Sequence, residues 1–254
     1  MAGNGAPGAT VVSRALAVLF AFDTAHSRLS LSELADRSGL PLSTTHRLVA
    51  ELVLGKALVR EPDGCYVVGR TVWDLGLLAP VERGIRELAR PFLSDIHAAT
   101  RATVHLAVRD GLRALYLERL SGNASVPIVS TVGTRLPLHA TGVGKVLLAH
   151  APEEVRARAM RNLRRVTPYT ITQPARLFEQ LEAVRRDGFA TTIEEMSLGG
   201  CSVAVPIMRE RFDAAPEVVA AVGVVVPNLR RDRARLVTAL QVAARGIGRT
   251  MPLS

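Results

Sequence analysis

Residues 31–52 read LSELADRSGLPLSTTHRLVAEL. Leu31, Leu34 and Ala35 recur at helical spacing and stop at Gly39, a residue suited to the left-handed backbone that ends a helix. Ser30 stands three residues before Glu33, the spacing of a capping box. After Leu40-Pro41-Leu42 a second segment runs to about Leu54, with Ser43 or its neighbour as cap and Leu48 and Leu52 on its core side. Its start carries Ser43, Thr44, Thr45, His46 and Arg47. A helix that only packs needs no such cluster at its exposed start, whereas a helix that meets a polar partner does.

Upstream, the spacing of Val11, Ala15, Leu16, Val18, Leu19 and Phe22 predicts a helix over 11–22, broken by residues 23–27. Downstream, Gly55 ends the second segment. Residues 57–60 and 65–68 then read as two strands around a turn at Glu61-Pro62-Asp63-Gly64. Helix, helix, turn, helix and hairpin, in that order, are a winged helix-turn-helix. The break at 38–41 is the turn, and the polar cluster starts the helix that would enter a DNA major groove. Short hydroxyls at Ser43, Thr44 and Thr45 reach phosphates or base edges, with His46 beside them. Arg47 can give two parallel hydrogen bonds to a guanine, or instead pair with Glu51 one turn on. Arg14 is a candidate phosphate contact, and Arg60 lies along the wing.

The whole chain of 254 residues has a net charge of +9, but residues 1–78 hold 7 basic and 7 acidic side chains. The excess lies entirely in residues 79–254, so charge alone says little about DNA binding. Only Lys56 and Lys145 are lysines. The N-terminal stretch MAGNGAPGATVVS has no basic start and reads as a tail rather than a signal peptide. No run approaches about 20 apolar residues, which excludes a membrane-spanning helix. Two distant cysteines, Cys65 and Cys201, make no disulfide framework and point to a cytoplasmic home.

Residues 71–100 read as helical, with bends at Pro80, Gly84 and Pro91. Strands are expected at 103–109, 112–120, 127–132, 189–195, 202–208 and 218–226, and helices at 142–150, 152–161, 174–187 and 229–249. Hairpin-linked strands mixed with helices predict an α+β sheet domain. Catalytic signatures are lacking. Val-Gly-Lys at 143–145 is no P-loop, since His139 and Val146 stand where glycine and a hydroxyl are required. His97, His105, His139 and His150 have no metal-ligand spacing and read as core or surface residues. Glu194 and Glu195, as neighbours on a strand, should face opposite ways, one outward and one anchoring an arginine or a loop amide.

Several phrases, in order, resemble the IclR family of bacterial transcriptional regulators: SRALAVL (13–19), LSELADRSGLPLSTTHRLVAEL (31–52), GCYVVG (64–69), GTRLPLHATGVGKVLLA (133–149), TPYTIT (167–172), RRDGFATTIEE (185–195) and GGCSVAVPI (199–207). The resemblance runs from about Val12 to Gly248. It implies a tail over 1–10, a winged helix-turn-helix over 11–70, a linker helix over 71–90, and a GAF-like α+β effector-binding and oligomerisation domain over 91–254. It further implies a dimer or dimer of dimers on a palindromic operator, a small organic or aromatic acid as effector, contact with RNA polymerase, and neither cofactor nor enzymatic activity. A ligand-binding or assembly module without DNA binding is the alternative, and a small-molecule enzyme a lesser one.

In the family, amides of the segment matching ATGVGK bind the effector's carboxylate, which here points to Gly142 and Val143. Ser125, Ile128 and Leu136 match wall positions. Thr192 and Ser202 match polar contacts. Gly223 and Val225 stand where acid-binding members carry hydroxyls. Losing two donors makes burial of a small acid costlier, so the pocket is expected to prefer a larger or less polar ligand than a two- or three-carbon keto acid.

Overall fold

A computed structural model describes residues 10–23, 25–78, 83–122, 129–212, 215–230 and 232–252. The chain divides into two units, residues 1–81 and 82–254. The expected tail lies almost wholly outside the described residues, as does the bend expected at Pro80.

The first unit contains α1 (Val11–Leu19), β1 (Arg28–Leu29), α2 (Leu31–Ser38), α3 (Leu42–Leu54), β2 (Leu58–Arg60), β3 (Tyr66–Val68) and α4 (Arg70–Leu78). Val18, Ala21, Leu29, Leu34, Val49, Leu58 and Tyr66 form its core. The Ser30–Glu33 capping box is present in both directions, and Gly39 closes α2 at φ 68°. α1 stops at Leu19, short of the expected Phe22, because a side chain from α2 captures the residues just beyond it. Arg37 donates to the Ala21 carbonyl at 2.7 Å and to the Asp23 carboxylate at 2.6 Å. Asp23 in turn accepts the amides of Ala25 and His26. The wing is a three-stranded sheet in the order β1-β3-β2, because Arg28 and Leu29 pair with Val67 and Tyr66. Arg28 also pairs with Asp63 in the wing turn.

The second unit contains α5 (Arg83–Thr100), β4 (Thr103–Asp110), β5 (Arg113–Leu120), β6 (Arg135–Pro137), α6 (Gly142–Ala149), α7 (Glu153–Met160), α8 (Pro174–Asp187), β7 (Ala190–Ile193), β8 (Cys201–Arg209), β9 (Glu217–Val226) and α9 (Arg233–Thr250). The strands form one antiparallel sheet in the order β6-β5-β4-β9-β8-β7. The expected strand over 127–132 is not found: 127 and 128 lie outside the described residues, 129–132 are irregular, and the pairing strand is β6. α5 continues through Pro91.

Side-chain alternation gives the sheet two unlike faces. Val104, Leu106, Val203, Val205, Val222 and Val224 join α5 and α9 in one core. Ala107, Ala114, Ala204 and Ala221 face α6 and α8 in the other. The small residues let α6 lie close to the strands, and all eight of its residues are buried.

Ser30→Ala removes half of the capping box. We expect a loss of about 1 kcal/mol in the first unit, read as a lower melting temperature by circular dichroism, with melting of the second unit unchanged.

Candidate DNA-contacting face and ligand cavity

α3 begins at Leu42, two residues earlier than a Ser43 cap would place it. Pro41 is the N-cap and supplies no side-chain hydrogen bond. The first-turn amides therefore keep their capacity for an outside acceptor. Ser43 is exposed on this turn and Thr44 is half-buried, and His46 and Arg47 are exposed on the next turn. Thr45 corrects the sequence reading. It is 0% exposed, and its hydroxyl donates to the Pro41 carbonyl at 3.1 Å. It stands four residues before the buried Val49, so it packs into the unit and offers nothing to DNA. Arg47 is exposed, and among the described residues no ion pair joins it to Glu51. Arg14 is half-buried on α1. Arg60 is exposed at the end of β2, stacked over the Tyr66 ring at 5.9 Å.

In the second unit, Leu136, Gly142, Val143, Thr192, Ser202, Gly223 and Val225 all line one cavity of about 50 Å³ on the α6 face of the sheet. Ser125 and Ile128 lie outside the described residues. Two glycines explain how the cavity is built. A Cβ on Gly142 would sit 2.5 Å from the Ser202 hydroxyl, and one on Gly223 would meet the Val203 carbonyl at 2.9 Å and Val143 at 3.1 Å. The hydroxyl expected at position 223 of an acid-binding relative is thus sterically incompatible with this seating of α6. Thr141 caps α6 by accepting the Gly144 amide at 3.1 Å. The Thr192 and Ser202 hydroxyls share a hydrogen bond of 2.6 Å beside Gly142.

A second polar group in the cavity is absent from the sequence reading. His105 is 4% exposed, and its Nε2 lies 2.8 Å from the Ser130 hydroxyl. Its ring meets Tyr116 edge-on, with centroids 5.1 Å apart. Burial, helped by the Arg119 charge, pushes His105 down to about 3, so the ring is neutral near pH 7. Burial likewise pushes Tyr116 up to about 12. The sequence does hold a signal: His105 alternates with Val104 and Leu106, which places it on the opposite face of the strand.

Glu194 and Glu195 depart from the expected alternation because β7 ends at Ile193. Glu194 turns to φ 54°, and its carboxylate accepts the Gly199 amide at 2.6 Å. Glu195 is buried rather than outward-facing. It accepts from Lys145 Nζ at 2.6 Å, and Lys145 also donates to Gln180 at 2.7 Å. Lys145 is 1% exposed. Burial pushes both groups toward their neutral forms while each holds the other charged. The pair ties α6 to the loop after β7, and Met196, Ser197 and Gly200 of that loop also line the cavity. No cluster of metal-ligating side chains occurs among the described residues.

Lys145→Met leaves Glu195 buried without a counter-charge. We expect a loss of about 3–5 kcal/mol, measured by denaturant unfolding of the second unit. Lys145→Met combined with Glu195→Leu should recover most of it; a single variant as stable as the parent would contradict this account.

Comparison with known proteins agrees with both units. Residues 11–62 match the IclR helix-turn-helix domain, and residues 79–249 match the bacterial transcriptional regulator IclR C-terminal domain. The HTH-type transcriptional regulator BhcR of Paracoccus denitrificans is 36% identical over 213 residues, 83% of this chain and 75% of that protein. The HTH-type transcriptional repressor AllR of Escherichia coli is 30% identical, over 91% of this chain and 85% of its own. The solved structure of an IclR homologue from Microbacterium hydrocarbonoxydans, complexed with 4-hydroxybenzoate, superposes with a TM-score of 0.87 at 34% identity, covering 94% of this chain and 98% of that one. Thermotoga maritima IclR superposes with a TM-score of 0.73 at 29% identity, over 94% and 97%. With both units matched by their own family profiles and the relatives spanning most of its length, the chain belongs to the IclR family of bacterial transcriptional regulators.

Proposed function

We propose that this DNA-binding transcriptional regulator reads its operator with the first two turns of α3 and is controlled by an organic acid seated at the start of α6. The observation that carries the DNA reading is that helix start: exposed, without a side-chain cap, and presenting the Arg47 guanidinium. Ser43, Thr44 and His46 stand with it as contacts, and Arg14 and Arg60 are the phosphate and wing contacts. A pair of such heads on a homo-oligomer, dimeric or a dimer of dimers, fits two half-sites of a palindrome. The protein works in the cytoplasm, and RNA polymerase is a further partner through which bound ligand changes transcription. It is not an enzyme; the cavity's chemistry is that of binding.

The Gly142 and Val143 amides at a helix start favour an anion, which supports a carboxylate as the group held there. The relative solved with 4-hydroxybenzoate supports an aromatic acid as its class. A ligand acts on DNA binding only by its differential affinity for two arrangements of the protein.

Selection of genomic fragments on the purified protein should enrich a palindromic site. Arg47→Ala should lower affinity for that site by roughly tenfold or more and relax one position within each half. In calorimetric titration, aromatic acids should bind and glyoxylate and pyruvate should not; tight binding of the two small acids would refute the ligand class.

A further inference from the structure

The cavity has two polar ends. At one, Thr192 and Ser202 lie beside Gly142. At the other stand His105 and Ser130. The floor between them is bare, because Gly223 has no side chain and Val225 is apolar. The strand registers fix how far apart the ends are. Ser202 pairs with Val225, which pairs with Thr103, whereas His105 pairs with Gly223, which pairs with Ala204. Ser202 and His105 are therefore two strands and two residues apart. With strands about 4.8 Å apart and a rise of about 3.3 Å per residue, that is roughly 12 Å. Side chains stand roughly perpendicular to the sheet, so their tips keep about this backbone spacing, and a hydrogen bond of about 2.8 Å at each end leaves roughly 6 Å for the ligand. That length suits one aromatic ring with a polar atom at each end.

We propose that His105 and Ser130 recognise a hydroxyl group on the effector, at the end of the ring opposite its carboxylate, and so set the pocket's specificity for a para-hydroxylated aromatic acid. The inference rests on the reading that the cavity seats the effector's carboxylate at the start of α6. The pair has bonding capacity to spare. A hydroxyl offers one donor and two acceptor positions, and an imidazole two nitrogens. Among the described residues His105 Nδ1 has no partner, and Ser130 makes only the one side-chain bond. Arg119 donates to the Ser130 carbonyl at 3.0 Å and holds that residue in place. The Tyr116 edge fixes the ring. A buried neutral imidazole beside a serine suits a neutral hydroxyl, and the Arg119 guanidinium near them is engaged by the Ser130 carbonyl. A site built to hydrogen-bond a hydroxyl discriminates strongly against the analogue that lacks it, since its own polar groups are then left unpaired.

The test is calorimetric titration of the full-length protein with 4-hydroxybenzoate, benzoate and terephthalate, repeated with His105→Phe and Ser130→Ala. We expect 4-hydroxybenzoate to bind at least tenfold tighter than benzoate, and terephthalate to bind no better than benzoate. Each variant should bring the ratio of the first two close to one, with operator binding without ligand as the check that the variant is folded. Ser130→Ala, a smaller change, decides the matter if His105→Phe fails to fold. Equal binding of 4-hydroxybenzoate and benzoate, or an unchanged ratio in a folded variant, overturns this inference and leaves the carboxylate seat standing. No binding of any aromatic acid overturns both.

Discussion

The close seating of α6 on the sheet is the constraint on which the effector unit depends. It requires alanine at 107, 114, 204 and 221 and the bare backbone of Gly142 and Gly223. Because the helix start sits so low, Gly142 and Val143 line the cavity beside the Thr192–Ser202 pair. Because its whole length is buried, the one charged side chain that it carries has to be met inside, and Glu195 meets it. A hydrophobic pair of similar volume would often be as stable. The ion pair instead fixes a direction, holding the loop after β7 against the helix whose start forms the opposite wall.

That arrangement limits how a ligand can enter. A cavity of about 50 Å³ holds one or two waters, and an aromatic ring needs more. Filling it requires the walls to part. Those walls are tied through Lys145 to α6. They are also tied to the segment before α8 through Thr167 and Thr170, which donate to the Glu194 and Glu195 carbonyls at 2.7 Å. A ligand seated there would couple its binding to rearrangement of packed elements, which is the condition for a ligand to favour one state of a regulator over another.

Much of this is legible in the sequence, and the gaps have physical causes. The helix-turn-helix announces itself through local signals: the capping box, Gly39 and the Asp-Gly turn each act within a few residues. Periodicity makes α1 too long because its end is set by Arg37, distant in the chain, and β1 escapes because two residues carry no periodicity. Thr45 reads as a contact because hydroxyls cluster around it, yet its spacing from Val49 puts it on the buried stripe. For the cavity, the family resemblance supplies seven lining positions, while His105 and Ser130 are absent from it. They come together from β4 and the irregular stretch before β6, 25 residues apart, and only the folded sheet reveals them.

The burial of Lys145 also changes how the surface can be addressed chemically. The chain has two lysines, and with one enclosed, Lys56 is the single lysine amine open to solvent, just past the end of α3. Lysine-directed reagents, and any acylation of lysine in the cell, therefore converge on one point of the DNA-binding unit and leave the effector unit untouched. Tethering the protein through its lysines would hold it by the end that needs to reach DNA, whereas a label placed there would report on the head alone.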